Sequence, residues 1–537
     1  MTPSDEQERI VGAASFGTSL VALAGAGTGK TTACTLVADV CDDPLYLAFN
    51  RAAKEDAQQR FSLKTRIKTA HGLAFATEKT YFRSRLVTST LELRRAYAPL
   101  VKAAIARAFG AVSRGDAETI AHTAFDAVYA FLASADRTLT PTRHVPDSPH
   151  DATLVAEVAT QIADTMLDRN GTLPVTHDAY LKAFQLSRPT IRAKTIIFDE
   201  AQDASEAMLD IVLSQNAQQV FVGDQWQAIY GWRGAVNAFS YLGHLDAFHL
   251  RQSYRFGPSV ALQANAILSS LGETALLVGA GKHDTVVSFN PQPYTPVPGT
   301  QAFLGRTTLG VFGLALKAAC QGARLAFIGG HERILGWFRA AYELSTVGRT
   351  SHPAFSFFGS FDALTRFAQF AAGAQYAPCV GAVRLYGDDL PTAIERVRAR
   401  IVPEAEAEVL VSTIHQYKGR EAANVSLASD IGNYAFFHTE KDGTYARFLV
   451  EEANLAYVAV TRAQQYLDYS SAAVNVGASC AAIADIKAVA AALFPGQHIG
   501  SIFDAARVLD GVPIPDDLLD TVQAERRLRT ERERATA

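Results

Sequence analysis

Apolar positions first cluster at residues 19–23, a short run that enters the glycine-rich stretch Ala24-Gly25-Ala26-Gly27-Thr28-Gly29. From Lys30-Thr31-Thr32 to residue 40 the apolar positions recur with a helical period, and a second apolar run at 44–49 follows one helix length later. Strand, loop, helix and strand in that order form a βαβ unit, which requires a parallel sheet. Between about residues 73 and 170 the rhythm gives way to an alanine-rich stretch of helical period, closed by the turn signals Asn170-Gly171 and Leu173-Pro174. Short apolar runs return at 195–198 and 219–222, then at 301–304 and 324–328 with a Gly329-Gly330 turn, and again at 408–412 and 424–427. Residues 331–403 interrupt this second set, and the chain ends in an Arg/Glu-rich stretch that predicts a solvated helix over 520–534. The pattern therefore predicts an α/β protein with two parallel sheets, each interrupted by an insertion that is mainly helical.

Composition narrows the class without fixing it. The 537 residues suffice for three or four units at about 150 residues each. With 48% hydrophobic and 19% charged residues and a net charge of −4, the chain is neither disordered nor coated in basic charge. The average hides an asymmetry: from Arg51 to Gly110 thirteen Lys and Arg face four Asp and Glu, a local +9 that leaves −13 elsewhere. Such a segment suits an anion-facing surface, and it equally suits the solvated faces of charged helices. The five cysteines are scattered without C-x-x-C or metal spacing, as expected of reduced thiols. The polar, acidic N-terminus is unlike a signal peptide and no apolar stretch is expected to reach about 18 residues, so the expectation is a soluble, cytoplasmic protein without a membrane partner.

Three segments carry candidate chemistry. Residues 24–31 have the form of a phosphate loop, in which glycines turn backbone N–H groups inward, Lys30 supplies a point charge for β and γ phosphates, and Thr31 offers a hydroxyl to Mg²⁺. Ala24 stands where the strict pattern has glycine. Downstream, the buried run Ile196-Ile197-Phe198 leads into Asp199-Glu200-Ala201-Gln202 at the carboxyl end of a strand, where α/β sheets place ligands. Asp199 can hold Mg²⁺ through water and Glu200 can orient and deprotonate an attacking water; alone, the pair also reads as a helix N-cap. Third, Gly223-Asp224-Gln225-Trp226-Gln227-Ala228-Ile229-Tyr230-Gly231-Trp232-Arg233 mixes aromatics with Gly, Gln and Arg, as suits a loop that stacks on bases; core packing competes for Trp226.

In these residues and their order, the chain resembles superfamily-one DNA helicases of the UvrD/Rep type, and most closely the helicase portion of the F-box DNA helicases. The resemblance spans residues 4–467 and includes Gln252-Ser253-Tyr254-Arg255-Phe256-Gly257-Pro258, Pro174-Val175-Thr176-His177-Asp178-Ala179-Tyr180-Leu181-Lys182 and Asn454-Leu455-Ala456-Tyr457-Val458-Ala459-Val460-Thr461-Arg462-Ala463. No F-box is expected ahead of Ser4, and recruitment to a ubiquitin ligase is not part of the expectation. The resemblance implies tandem RecA-like domains: residues 1–72 and 171–265 for the first, with 73–170 as a helical insertion; 266–330 and 404–477 for the second, with 331–403 as a small insertion; and 478–537 as a C-terminal helical extension.

It also implies ATP and Mg²⁺ as cofactors and assigns roles to further residues. ATP would meet Gln7 and Tyr254 at the adenine, residues 24–29 with Lys30, Thr31 and Thr32 at the phosphates, and Glu421 at the ribose. Gln227 matches the sensor between γ-phosphate and DNA, and Arg255 and Arg462 the two arginines that reach the γ-phosphate. Single-stranded DNA would meet Phe49, Asn50 and Arg51, Thr69 and His71, and Tyr230, Trp232 and Arg233. Phe49, which ends an apolar strand, also suits a core, and His415 is either a coupling residue or a packed histidine. The function so implied is a monomeric DNA helicase that translocates 3′ to 5′ on single strands and unwinds duplex junctions. The alternatives are a translocase that strips proteins with little unwinding, and a P-loop ATPase switch acting on a protein partner.

Overall fold

The computed structural model describes residues 3–231, 234–290, 301–432, 443–509, 518–519 and 521–526. It divides into two compact units: unit 1 comprises 1–24, 29–250 and 332–394, and unit 2 comprises 25–28, 251–331 and 395–537.

Unit 1 is built on a six-stranded parallel sheet. Its strands are β1 (Leu20–Ala24), β2 (Pro44–Ala48), β3 (Arg66–Thr69), β4 (Thr195–Phe198), β5 (Gln218–Gly223) and β6 (Asp246–Leu250), in the order β3-β2-β4-β5-β1-β6. The period of two decides which core each side chain joins. Leu45 and Leu47 of β2 face one core with Ile196, Phe198 and Phe221, whereas Tyr46 and Ala48 face the other with Ile10, Val37, Ile197 and Val222. The first of these cores runs on into the helical insertion, through Tyr97, Phe125, Phe131, Val158 and Ile162 of the helices Thr90–Phe109, Arg114–Ala133 and Ala152–Leu167. The insertion is thus an extension of one sheet face and has no separate core.

Residues 332–394 are separated from the rest of unit 1 by sequence yet pack there. Trp337 stacks on Tyr376 at 5.4 Å and 12°, and His122 of the first insertion lies against Phe357, Phe367 and Tyr376. The division of the chain accordingly falls after Leu250 and sends 332–394 to unit 1, whereas the sequence reading put the first boundary at 265 and attached 331–403 to the second domain.

Unit 2 holds a short ladder, β7 (Gln252–Ser253) with β8 (Val278–Gly279), and a second six-stranded parallel sheet. That sheet contains β9 (Val286–Ser288), β10 (Gln301–Gly305), β11 (Leu325–Phe327), β12 (Val409–Thr413), β13 (Ala422–Leu427) and β14 (Ala463–Asp468), ordered β11-β12-β10-β13-β14-β9. Two parallel sheets with helical crossovers make this a tandem RecA-like fold.

The helix Ala473–Leu493, against expectation, is long and apolar enough by length and composition to cross a membrane. Its apolarity comes largely from alanine, it packs on the helices Pro258–Leu271 and Gly443–Val460, and its buried Asp485 pairs with Arg526 at 2.7 Å. Of the tail helix expected at 520–534, residues 521–526 are helical and 527–537 lie outside the described residues.

Candidate functional site

The loop after β1, the strand between β5 and β6 in the first sheet, leads into the helix Lys30–Val40. Gly29 caps this helix with φ +83° and offers no side-chain acceptor, so the first-turn N–H groups remain available to an anion. Gly27 has φ +74°, and a Cβ there would stand 2.7 Å from both Arg255 Cβ and Ser253 Oγ, within unit 2. Only glycine satisfies both the left-handed conformation and that approach. Lys30 is largely buried, with Nζ 3.9 Å from Glu200 Oε1. Thr31 and Thr32 lie in the first turn, half-buried. Buried Gln7 uses its Oε1 to accept the Ser4 N–H at 3.0 Å in a capping box, while its Nε2 is 3.1 Å from where a Gly29 Cβ would stand.

Asp199 is buried at the end of β4, and both its oxygens are engaged. Oδ1 accepts the Glu200 N–H at 2.9 Å, and Oδ2 accepts the hydroxyl of Tyr46 from the neighbouring strand β2. Burial, reinforced by the charge of Glu200, pushes the Asp199 carboxyl up to about 6, while Tyr46 and Lys30 oppose the shift. The Tyr46 phenol is pushed far up by burial and by Asp199, so it remains a proton donor. Cys34, packed beside the carboxylates, is likewise raised, first by burial and then by Asp199 and Glu200, which keeps it an unreactive thiol. A hard cation suits this donor set: it would relieve a buried carboxylate beside a second one, and Mg²⁺ needs only one or two carboxylates together with phosphate and water oxygens. Thr31 and Asp199 would be the residues to hold it.

Glu200 has φ +52°, an uncommon left-handed conformation for a residue with a side chain. From it a hydrogen-bonded chain runs away from the phosphate loop. Gln202 Nε2 donates to Glu200 Oε2 at 2.5 Å, and Gln202 Oε1 accepts the Asp224 N–H at 3.1 Å. Gln227 Nε2 donates to Asp224 Oδ2 at 2.7 Å. A Cβ at residue 223 would meet Gln202 Oε1 at 2.1 Å, so Gly223 is what lets this chain close. Three residues beyond Gln227, Tyr230 lies nearly parallel to Phe49, with 6.2 Å between centroids and 12° between planes. Trp226 is buried, as a core role requires, whereas Trp232 and Arg233 lie outside the described residues.

The other nucleic-acid candidates serve local structure as well. Asn50 caps the helix Arg51–Arg60 by accepting the Ala53 N–H at 2.8 Å, and Thr69 caps Ala70–Phe82 by accepting the Gly72 N–H at 2.9 Å. Arg51 is exposed and pairs with Glu55, and His71 Nε2 lies 3.0 Å from Asp178 Oδ1. The basic stretch divides in two. Arg85 is buried, donating to the Leu173, Asp168, Thr165 and Met166 carbonyls, while Lys64, Lys68, Lys79, Arg83, Arg95 and Lys102 are exposed. Glu78 is buried as well, paired with Arg169, so the two burials cancel and the stretch keeps its net positive surface charge.

Within unit 2, Arg255 Nε donates to Glu421 Oε2 at 2.5 Å and Nη1 to the Thr461 carbonyl at 3.2 Å. Gln464 Nε2 donates to Glu421 Oε1 at 2.7 Å. Arg462 is almost fully buried; Nε donates to the Val458 carbonyl at 2.9 Å and Nη1 to the Arg420 carbonyl at 3.2 Å. Tyr254 is half-exposed, and its N–H donates to the Gly27 carbonyl at 2.9 Å. Ala26 N–H donates to the buried Tyr457 hydroxyl at 3.0 Å. His415 is half-buried in the turn Ile414–Tyr417. Tyr417 turns inward and donates to the Glu421 carbonyl at 3.3 Å, and Arg420 pairs outward with Glu404, so both leave the Glu421 side chain accessible.

Tyr46, Gln202, Asp224, Tyr457 and Gln464 join these clusters without having been singled out from sequence. A signal existed for Gln202 and Asp224, which sit inside the two motifs. None existed for Tyr46, which reads as one more apolar strand residue.

An AAA domain family model matches residues 7–233, and the model of the UvrD-like helicase C-terminal domain matches 393–473. F-box DNA helicase 1 of Gallus gallus is 28% identical over 512 residues, covering 86% of this chain and 48% of that protein. F-box DNA helicase protein 1 of Schizosaccharomyces pombe is 29% identical over 483 residues, covering 82% and 54%. The chain thus spans about half the length of the curated relatives it matches. The solved arterivirus nonstructural protein 10 (helicase) overlaps at TM-score 0.30 and 12% identity, over 86% of this chain and 61% of that one, too loosely to argue from. The chain carries the two domains of a UvrD-like helicase and is homologous, over most of its length, to the helicase portion of the F-box DNA helicases.

Proposed function

We propose that this chain is an ATP-dependent DNA helicase that translocates 3′ to 5′ on single-stranded DNA and unwinds the duplex ahead of it, acting in the cytoplasm as a single copy. The observation that carries this reading is the chain Glu200-Gln202-Asp224-Gln227, which ends three residues from Tyr230 and its parallel partner Phe49. It gives the hydrolytic carboxylate a mechanical connection to a pair of aromatic rings. A base stacked between two rings needs about twice the usual contact distance between their planes, roughly 7 Å, and near-parallel rings present the faces such stacking uses.

On this reading the open N-terminus of the helix Lys30–Val40 and the Lys30 ammonium bind the β and γ phosphates. Mg²⁺, when held by Thr31 and through water by Asp199, neutralises phosphate charge. Glu200 orients the attacking water and accepts its proton. Tyr46 keeps Asp199 oriented. The N-termini of the helices Arg51–Arg60 and Ala70–Phe82, with the exposed lysines and arginines around them, track the DNA backbone. ATP hydrolysis by the full chain with and without single-stranded DNA tests the reading: strong stimulation is expected, abolished in Lys30→Ala and blunted in Tyr230→Ala. Turnover indifferent to DNA would refute it and favour an ATPase switch.

A further inference from the structure

The Arg255–Glu421 pair joins two groups that the helicase reading gives separate duties, one at the γ-phosphate and one at the ribose. Both Glu421 oxygens are in use, Oε2 for Arg255 and Oε1 for Gln464. The root of Arg255 is fixed, because its neighbour Tyr254 donates to the Gly27 carbonyl and its Cβ packs against Gly27 of the phosphate loop. Only its head is held back, by Glu421 and by the Thr461 carbonyl. A guanidinium still paired with a carboxylate brings almost no net charge to a phosphate, so Arg255 must shed Glu421 before it can stabilise transition-state charge. The pair is suited to being broken, since the Glu421 side chain is 44% exposed, and pairs open to solvent are the weaker kind.

We propose that Glu421 is an exchange point: its carboxylate, steadied by Gln464, pairs either with Arg255 or with the ribose hydroxyls of the nucleotide, so that recognition of the sugar frees Arg255 for the γ-phosphate. This rests on the ATP-driven reading above and adds to it a reason why the sugar governs the catalytic rate as well as affinity. Two hydroxyls replace the guanidinium as donors to the same carboxylate, which stays hydrogen-bonded throughout. Gln464 keeps the acceptor in place while its partner changes.

The experiment is DNA-stimulated hydrolysis by the full chain of ATP, 2′-deoxyATP, 3′-deoxyATP and 2′,3′-dideoxyATP, with kcat and KM determined separately. In the unaltered protein, loss of both hydroxyls is expected to lower kcat by roughly tenfold beyond any rise in KM, a small part of what an arginine at the γ-phosphate supplies. In Glu421→Ala the carboxylate that neutralises Arg255 is gone whatever the sugar, so kcat becomes independent of the sugar while KM rises for ribonucleotides. Glu421→Gln, which keeps the shape and removes the charge, moves kcat the same way. A sugar effect confined to KM, or a kcat difference that survives in both variants, overturns the exchange while leaving the ATPase reading intact. Absence of ATP turnover by the unaltered protein overturns both.

Discussion

Replacing Tyr46 by Phe removes one hydroxyl from a buried site and keeps the ring that packs against Phe61. What is lost is a hydrogen bond to the Asp199 carboxylate, and its worth depends on whether that carboxylate is charged. The folded protein holds the Asp199 proton more tightly than the unfolded chain, since burial raises the carboxyl from 3.8 to about 6. The contribution of this group to stability is therefore fully present below about pH 4 and is lost as pH rises through about 6. Tyr46 works against that loss by stabilising the ionised form. At pH 8 its removal should cost about 2 kcal/mol, the range for a hydrogen bond to a charged group, and at pH 5 about half as much, as for a neutral pair. At roughly 2–3 °C per kcal/mol for a unit of this size, Tm should fall by about 5 °C at pH 8 and about 2–3 °C at pH 5. Thermal unfolding in EDTA, with both proteins scanned at the same rate at each pH, reads this directly. An equal loss at the two pH values would show that the hydroxyl does not serve an ionised Asp199, and the account of how β2 supports the carboxylate would fail.

Three further outcomes follow from particular contacts. Gln202→Leu leaves Glu200 without its link to Asp224, and kcat for DNA-stimulated hydrolysis should drop by about 10- to 100-fold with KM for ATP little changed; an unaltered kcat would remove the link from the mechanism. Arg85→Ala strips four backbone carbonyls of their donor and should destabilise unit 1 by about 3 kcal/mol while leaving the salt dependence of DNA binding as it was, whereas Lys68→Ala with Lys79→Ala should flatten that dependence at little cost in stability. The reverse assignment would show the phosphate track to be misplaced. His122 is held down to about 3, first by burial and then by Arg94, so its support for the packing of 332–394 is present above about pH 6.5 and is lost as pH falls toward 3; limited proteolysis of that segment should rise on acidification, and less steeply in His122→Phe.

Most interior strands were legible because they are buried on both faces and read as continuous apolar runs, as in Ile196-Ile197-Phe198; the interior strand Ala463–Asp468, which carries exposed and half-buried positions, was not. Of the four edge strands of the two six-stranded sheets only Leu325–Phe327, fully buried, was legible. Arg66–Thr69 alternates exposed with half-buried residues, and Asp246–Leu250 and Val286–Ser288 are largely exposed or short, so hydrophobicity gave no sign of them. The phosphate loop and the acidic run could be read from residue order alone, since their chemistry depends on neighbours in sequence. Tyr46, Gln464 and Tyr457 could not, because each acts on a group brought to it by the fold, on β2, on β14 and on the helix Gly443–Val460 respectively. Asn50 and Thr69 show the converse: residues read as contacts to DNA also close a helix end, a duty that spacing alone does not separate from recognition. The packing of 332–394 on the first insertion was hidden for a related reason, as His122 and Tyr376 stand 254 positions apart and nothing local marks them as partners.

Strand displacement on duplexes carrying either a 3′ or a 5′ single-stranded tail, with Lys30→Ala as the control, tests the central claim most directly. ATP-dependent separation of the 3′-tailed duplex alone, absent in Lys30→Ala, is the result expected of a 3′ to 5′ helicase. No displacement of either duplex, despite ATP turnover stimulated by single-stranded DNA, would contradict it.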